Sequence, residues 1–366
     1  MIAARMTFNL FVAIARILKY DLESSSFSPI VYVSKDQIRK DTWMRVFVTG
    51  GAGFIGSAVV RELVRNGWHA TCLVRPTTRT NRIDDLAVDR LIGDVRDAAA
   101  LQIGMRNCDA TIHLAGLSSW NDINSGAMEQ VVVSGTRNVL DCAAELSGHK
   151  VVFVSSITAV NGSDTPQVFD EDSAFTLTDP ALRYAHAKRA AEALCWEAFG
   201  RGVPVVIVNP AEVYGPNDQG MITAGNLVDF SRSTPVLVCS GGTSVAHVDD
   251  VAAGIVAALD RGRPGERYIL GGENVTILEL ARHCLEILDR RVRVLKMPNA
   301  MLRTITRLAG VAHIPLPYNP QVVPYATRYW FMNAEKAQRE LGVSFRDARD
   351  TLISALGWLQ EAGYLT

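Results

Sequence analysis

The sequence predicts an α/β fold in which a doubly wound parallel sheet is joined to a smaller C-terminal α/β domain. Two observations carry this prediction. Residues 46–56 read as a buried strand, a glycine turn and a helix start. From residue 44 onward, short apolar runs alternate with helical patterns, which indicates parallel strands connected by helices. The runs are almost continuously hydrophobic, as expected for strands that are covered on both faces.

The predicted strands lie at 45–49, 70–74, 90–92, 110–114, 151–154 and 205–208. After residue 210 glycine and proline become frequent, and the remaining helical patterns lie at 248–259, 276–288 and 333–341. We therefore expect a sheet domain at 44–210, to which 243–270 return, and a smaller domain formed by 211–242 and 271–366. The smaller domain should lie beside the carboxyl ends of the strands, where such sheets bind ligands.

Residues 1–43 precede the first predicted strand and form an extension of uncertain role. Residues 6–18 are apolar, but Asn9 and Arg16 interrupt them, so the run is shorter than the roughly 20 apolar residues of a membrane span. Acidic residues and serines follow it, which is not typical of a signal peptide. The extension is interpreted as an upstream-start artefact, a docking helix or a weak targeting segment, and the sequence leaves these three open.

Composition narrows the class of protein. The 366 residues are 48% hydrophobic and 20% charged, with a net charge of −1. That balance argues against a broad basic field, so neither nucleic acid nor an anionic membrane is an expected partner. The six cysteines are widely spaced, without a C-x-x-C pair or a metal-type cluster. We expect reduced thiols, no metal and a cytoplasmic protein that acts on a small molecule.

The glycine turn is the first candidate site. Gly51, Gly53 and Gly56 form G-x-G-x-x-G directly after an apolar strand and before a helix pattern at 57–65. Residues without a Cβ allow a tight turn and a close approach to a diphosphate, which then binds the free N–H groups of the helix start. The alternative is a glycine-rich turn without a ligand.

The end of the second strand bears on coenzyme choice. A site for NAD usually places Asp or Glu there, whereas this chain has Arg75. Arg75, helped by Arg79 or Arg82, could hold a 2′-phosphate by charge-assisted hydrogen bonds, which favours NADP(H) over NAD(H). Arg75 could equally be a solvated loop cation. Asp94, just after the third strand, could accept from an adenine amino group or cap the next helix.

The candidate chemistry lies at Tyr184, Lys188 and Ser156. Tyr184 and Lys188 are four residues apart in a helical pattern, so their side chains share one face. A neighbouring ammonium and a positive nicotinamide ring should lower the pKa of Tyr184 and make it a general acid or base. Ser156 closes a predicted strand and could donate to a carbonyl oxygen; Ser155 is the alternative serine.

Several motifs in this order resemble the extended short-chain dehydrogenase/reductase family, within the NAD-dependent epimerase/dehydratase superfamily. They are Gly50-x-x-Gly53-x-x-Gly56, His113-Leu114-Ala115-Gly116, Ser156, Tyr184-x-x-x-Lys188 and Asn209-Pro210. Segments 73–76, 206–210, 247–252 and 265–274 resemble its dihydroflavonol-4-reductase-like subgroup, which includes hopanoid-associated sugar epimerases. The resemblance implies a Rossmann-type NAD(P)-binding domain, a substrate-binding C-terminal domain and a possible homodimer.

The resemblance also implies roles. Tyr184 would be the acid/base, Lys188 would bind the nicotinamide ribose, and Ser156 would polarise the substrate oxygen. The implied coenzyme-binding residues are Gly50, Gly53, Phe54, Ile55, Gly56, Arg75, Asp94, Val95, Leu114, Ala115, Gly116, Tyr184, Lys188, Pro210 and Val213. His247 would brace the join between the domains, with Asp249 or Asp250 capping the next helix.

Two departures from the family pattern affect the expected chemistry. Many members have an asparagine three residues before Gly135, where it supports a proton relay, and this chain has Val132. Asn138 is no obvious substitute, because six residues along a helix turn it to another face. Sugar-nucleotide dehydratases carry an acidic pair after the active-site serine or threonine, whereas Ile157-Thr158 stand here, which counts against a dehydratase.

Three functions follow from these residues. The first is NADP(H)-dependent interconversion of a ketone and a secondary alcohol through Ser156, Tyr184 and Lys188. The second is a sugar-nucleotide epimerase that oxidises and re-reduces one bound substrate. The third, suggested by Val132, is a coenzyme-binding sensor or scaffold whose catalysis has decayed.

Overall fold

The computed structural model describes residues 44–117, 127–316 and 318–365, which lie in the compact unit Trp43–Thr366. The interpretations of residues 1–43 concern a segment outside the described residues. The strands are β1 (Arg45–Thr49), β2 (His69–Val74), β3 (Asp89–Ile92), β4 (Ala110–His113), β5 (Lys150–Val154), β6 (Val168–Phe169), β7 (Val205–Pro210), β8 (Glu212–Tyr214), β9 (Val236–Val238), β10 (Gly242–His247), β11 (Arg267–Leu270), β12 (Glu273–Thr276), β13 (Val294–Lys296) and β14 (Tyr329–Met332).

The helices are α1 (Phe54–Arg65), α2 (Ala98–Met105), α3 (Gly135–Ala144), α4 (Arg183–Gly200), α5 (Ala224–Arg232), α6 (Val248–Arg261), α7 (Ile277–Ile287), α8 (Asn299–Ala312), α9 (Val323–Ala326), α10 (Glu335–Leu341) and α11 (Ala348–Glu361). A π-helical segment, Glu129–Ser134, leads into α3. Short 3₁₀ turns lie at Ile157–Ala159 and Pro320–Val322.

A seven-stranded parallel sheet forms the main layer, in the order β11-β7-β5-β4-β1-β2-β3. Both of its faces are covered. In β1, Val46 and Val48 pack in a core cluster with side chains of α1 and α6. Phe47 points to the opposite face and packs with side chains of α2, α3 and α4. Successive strand residues point to opposite faces, so continuous hydrophobicity builds two cores. The predicted doubly wound, Rossmann-type sheet is confirmed.

The last part of the chain forms further sheets and a third core. The order β12-β10-β14-β6 describes the second sheet, with β8 paired to β10, and β9 pairs with β13. Side chains from α5, α7 and α11 pack into the third core cluster. Residues 243–270 were expected to return to the main sheet. Of their elements, α6 packs on α1 and β11 pairs with β7, whereas β10 belongs to the second sheet. That this part binds the substrate stays a prediction.

Two helix caps differ from the sequence-based expectation. Asp97, not Asp94, caps α2: its carboxylate accepts from Ala99 N and Ala100 N. At the start of α6, the cap is His247 itself, whose Nδ1 accepts from Asp249 N at 3.1 Å. The capping role expected of Asp249 or Asp250 is therefore wrong, because the residue that precedes the helix is the histidine.

The described part of the chain contains no helix of sufficient length and apolarity to cross a membrane. In the same residues no group of His, Cys, Asp and Glu side chains could hold a metal ion. All six cysteines are free thiols. The expected cytoplasmic location stays a prediction.

Candidate functional site

The glycine turn lies between β1 and α1, at the carboxyl end of the main sheet. Gly50 has a φ of +77°, and a Cβ there would lie 2.7 Å from the backbone nitrogen of Ala115 after β4. A Cβ on Gly56 would collide with the carbonyl oxygen of Gly50. Gly53 N donates to Gly50 O at 3.0 Å and closes the turn. Glycine is required at 50 and 56 because the helix start and the end of β4 approach the turn closely.

The first turn of α1 is suited to an anion. Its N-cap is Gly53, no side chain caps it, and the turn contains no acidic residue. The free N–H groups of this turn and the positive end of the helix can therefore bind a diphosphate. Phe54 and Ile55, the first residues of the helix, are half-buried beside it.

A buried histidine holds the neighbouring strand ends together. Thr49 Oγ1 lies 2.6 Å from His113 Nδ1, and His113 Nε2 lies 3.1 Å from Thr136 Oγ1. Thr49 Oγ1 also accepts from Ala115 N at 3.2 Å. Burial lowers the pKa of His113 to about 3, with a contribution from the charge of Lys188. His113 is therefore a neutral link between β1, β4 and α3, a role that sequence reasoning missed because its partners lie far apart in the chain.

Two of the arginines considered for a 2′-phosphate, Arg75 and Arg82, differ in what they contact. Arg75 is exposed at the end of β2, and its side chain has no hydrogen bond or ion pair to the described residues. Arg82 is already engaged: Nε donates to Asn217 O at 3.0 Å and Nη1 to Ala52 O at 3.2 Å. Arg82 therefore ties the glycine turn to the segment after β8. Arg75 is better placed than Arg82 to bind an added anion.

Asp94 is paired with a neighbour instead of capping a helix. Its carboxylate accepts from Arg96 Nε and Nη2, both at 2.9 Å. The Arg96 guanidinium holds the pKa of Asp94 below its ordinary value, and the nearby charge of Arg75 adds to this effect. The charge of Arg75 therefore reaches Asp94, although no ion pair joins the two side chains among the described residues. The suggested helix cap at Asp94 is wrong, because Asp97 occupies that position.

Two apolar residues near the candidate site, Val95 and Val132, are buried. Val95 is buried, and its carbonyl oxygen accepts from Asn138 Nδ2 at 3.0 Å. Val132 is buried in the π-helical segment, and its carbonyl oxygen accepts from Thr136. The side chain of Asn138 is thus bound to Val95. It does not take the place of the family asparagine at the position where this chain has Val132.

Ser156 and Tyr184 are brought together across the end of β5. Ser156 precedes the 3₁₀ turn, and its Oγ accepts from Thr158 N at 3.2 Å. The nearby Ser156 hydroxyl lowers the pKa of the Tyr184 phenol, but burial has the larger effect and raises that pKa to about 12. Ser155, which directly follows β5, is buried. Of the two serines, Ser156 therefore faces the tyrosine.

Lys188 is buried next to this pair. Its Nζ donates to Val154 O at 2.8 Å and lies 5.9 Å from the centre of the Tyr184 ring. Burial lowers the pKa of Lys188 to about 8, while the charge of Glu192 raises it. The expected lowering of the Tyr184 pKa is wrong for the protein's own groups, because the ammonium points to a carbonyl of β5 and burial dominates. The neutral phenol is the acid form.

Gly116 lies close to the ammonium of Lys188. A Cβ built on Gly116 would be 3.7 Å from Lys188 Nζ, so the backbone after β4 passes close to the ammonium. Leu114 N donates to Thr49 O at 3.0 Å, which aligns the segment from Leu114 to Gly116 with the glycine turn. The structure thus brings the turn, this segment and Lys188 to one edge of the sheet.

A buried polar network forms a hydrogen bond to the backbone of Ser156. Asn209 Nδ2 donates to Ser156 O at 2.8 Å and to Glu192 Oε1 at 2.6 Å. Glu192 is completely buried and lies 3.5 Å from Arg267 Nη1. Sequence reasoning missed Glu192; the only signal was its position four residues after Lys188, on the same face of α4. Pro210 follows Asn209, and Val213 is buried in β8.

Comparisons with known proteins agree with this geometry. Residues 46–271 match the sequence model described as the NAD dependent epimerase/dehydratase family. A putative dihydroflavonol 4-reductase from Synechocystis is 30% identical over 87% of this chain and 95% of its own length. A 4-hydroxy-2-methyl-3-oxo-4-farnesyl-3,4-dihydroquinoline-1-oxide ketoreductase from Stigmatella aurantiaca is 29% identical over 87% and 98%. The solved structure of DesIV, a dTDP-glucose 4,6-dehydratase from Streptomyces venezuelae with NAD and TYD bound, is 25% identical, covers 88% and 99%, and superposes with a TM-score of 0.71.

Proposed function

Because the chain belongs to the NAD dependent epimerase/dehydratase family, we propose that it interconverts a ketone and a secondary alcohol with NADP(H). The match and the relatives confirm the resemblance to extended short-chain reductases, so the chain is an enzyme of an NAD(P)-dependent family. The observation that carries the proposal is that Tyr184 lies close enough to Ser156 for the serine hydroxyl to lower its pKa, beside buried Lys188. The reductase names of the two relatives support a reductase over an epimerase.

The residues around the glycine turn fit a dinucleotide. The uncapped start of α1 would hold the diphosphate, and Arg75 would hold the adenosine 2′-phosphate. Asp94 would accept from the adenine amino group, and Lys188 would hold the nicotinamide ribose. Val95, Leu114, Ala115 and Gly116 would line the adenosine side, and Pro210 and Val213 the nicotinamide side. When bound, NADP(H) supplies or accepts the hydride.

The chain's own groups supply the proton and orient the carbonyl. In the direction of reduction, the Tyr184 phenol, neutral because burial raises its pKa to about 12, donates its proton to the substrate oxygen as negative charge develops there. The Ser156 hydroxyl donates a hydrogen bond to the same oxygen. The Lys188 ammonium, 5.9 Å from the ring centre, stabilises the phenolate that remains. Water then returns the proton to Tyr184.

The proposal is tested by coenzyme turnover. Purified protein should consume NADPH with at least one member of a panel of ketones that carry apolar or aromatic groups, as the substrate names of the two relatives suggest. An absorbance decrease at the nicotinamide band is the measurement. A panel in which no ketone or alcohol changes the oxidation state of the coenzyme would contradict the proposal. Turnover of a nucleotide sugar without added coenzyme would instead support the epimerase alternative.

Coenzyme preference should depend on Arg75. Replacing Arg75 by alanine removes the exposed guanidinium that has no partner among the described residues. We expect the Kd for NADPH to rise by about 10- to 100-fold while the Kd for NADH changes little. Fluorescence titration of each coenzyme is the measurement. The control is Arg65→Ala, an exposed arginine at the end of α1. An equal rise of both dissociation constants in Arg75→Ala would show that Arg75 does not bind the 2′-phosphate.

A further inference from the structure

Helix α8 carries an exposed apolar face. Met301, Ile305 and Leu308 follow one another at spacings of four and three residues, so they lie on one side of the helix, and Val311 adjoins them. These four side chains are between 41% and 76% exposed. In α8, which the structure describes in full, Ala309 alone is buried. The helix therefore buries little of its surface against the rest of the protein, and most of its apolar side chains are exposed to solvent.

The apolar surface continues beyond the helix. Ile314, two residues after the end of α8, is 60% exposed. Leu237 of β9 and Leu295 of β13 are paired directly across the two strands, and both are exposed. Asn299 at the start of α8 bonds to both backbone groups of Ser240, at 2.9 and 2.7 Å. The short sheet and the helix are thus neighbouring parts of one surface, and contiguous exposed apolar areas of this kind mark interaction sites.

The same stretch of chain is strongly basic. Residues 289–316 contain six Arg and Lys and one acidic residue, in a chain whose net charge is −1. Arg291, Arg293, Lys296 and Arg307 are exposed, and within the described ranges none of them pairs with a carboxylate. Arg307 lies on α8 next to the apolar face. The net charge of the whole chain conceals this local excess of positive charge.

We propose that the exposed face of α8 docks on a lipid bilayer that carries anionic headgroups. A helix with an apolar side and flanking Lys and Arg lies in the bilayer interface, with its apolar side chains among the acyl chains and its cations at the headgroups. A second copy of this chain fits less well, because a twofold contact would place this basic surface against itself. The negative charge of an anionic bilayer complements it.

Docking would bring the candidate site close to the bilayer. Arg303 of α8 donates to Thr327 Oγ1 at 2.8 Å, directly after α9. In α9 the Tyr325 hydroxyl accepts from the backbone nitrogen of Tyr184 at 3.1 Å. The helix proposed to contact lipid is therefore joined by two sets of contacts to the start of α4, which carries Tyr184.

Flotation of the full-length protein with vesicles tests the proposal independently of any enzymatic activity. Wild type should bind vesicles of phosphatidylcholine with about 30% phosphatidylglycerol and should bind pure phosphatidylcholine more weakly. Binding should weaken at about 0.5 M salt, because salt screens the basic residues. The double variant Ile305→Asp/Leu308→Asp should bind anionic vesicles about tenfold or more weakly. Ile103→Asp, an equally exposed apolar residue in α2, is the matched control and should bind like wild type.

A second variant and a solution measurement complete the test. Arg307→Glu keeps the apolar face and should lower binding to anionic vesicles while binding to neutral vesicles stays the same. Sedimentation should show the same molecular mass for wild type and the double variant. The proposal is overturned if wild type does not bind anionic vesicles, or if the double variant binds like wild type, which would place the lipid contact elsewhere. A wild-type dimer that the double variant dissociates would also overturn it, by assigning the face to a second copy.

Discussion

Tyr184→Phe should lower kcat for ketone reduction by about 10²- to 10⁴-fold, which is the range expected when a positioned acid is removed. The substitution deletes only the hydroxyl, and the backbone nitrogen of residue 184 still donates to the Tyr325 hydroxyl. NADPH affinity should change little, because the coenzyme contacts proposed for the glycine turn and Arg75 remain. Steady-state kinetics and a coenzyme titration on the same sample measure both quantities.

The control for this variant is Tyr318→Phe. The Tyr318 hydroxyl bonds to Thr306 of α8 at 3.0 Å, away from Ser156 and Lys188. We expect its turnover to equal that of wild type. If Tyr184→Phe retained turnover within about twofold of wild type, proton transfer would belong to another group. NADPH binding without turnover in wild type as well would favour the sensor alternative.

Glu192→Ala should be the most destabilising single change in the candidate site. The completely buried carboxylate is the acceptor for Asn209 at 2.6 Å and the charge partner of Arg267 at 3.5 Å. Removing one partner of a buried ion pair leaves an uncompensated charge and costs about 3–5 kcal/mol. That is a large part of the roughly 5–15 kcal/mol by which a typical domain is stable. Urea unfolding followed by circular dichroism is the measurement.

Two further variants separate charge from packing. Glu192→Gln keeps the shape and the acceptor for Asn209, so we expect a smaller loss, of about 1.5–3 kcal/mol. Glu197→Ala removes an exposed carboxylate of the same helix, paired with Arg201 at 3.2 Å, and should cost at most about 1 kcal/mol. Equal destabilisation by Glu192→Ala and Glu197→Ala would show that the buried network contributes little.

Short-range patterns in the sequence predicted much of this protein. The strand runs differ from the observed strands by at most two residues at their ends, because continuous apolar stretches bounded by glycine and polar residues are a local property. The glycine turn and the pairing of Tyr184 with Lys188 depend on spacings of three and four residues. The family resemblance followed from these motifs, and the comparisons confirm it.

Assignments that depend on distant partners were harder to predict. Asp94 was predicted as a possible helix cap. In the structure it is paired with Arg96, and Asp97 caps the helix. The lowered pKa expected for Tyr184 depended on a nicotinamide ring and on an ammonium near the phenol, whereas Lys188 donates to a carbonyl of β5. Burial, which no local pattern reports, decided the direction of that shift.

The sequence by itself determined the first strands of the main sheet, the glycine turn and the residue types of the proposed Ser156, Tyr184 and Lys188 site, since these depend on neighbours within a few positions. Tertiary structure alone decided that Ser156 and not Ser155 faces the tyrosine, that Glu192 pairs with Arg267 across 75 positions, and that α8 leaves its apolar face outward. The physical reason is that burial and charge pairing are properties of three-dimensional neighbours, which chain spacing does not specify.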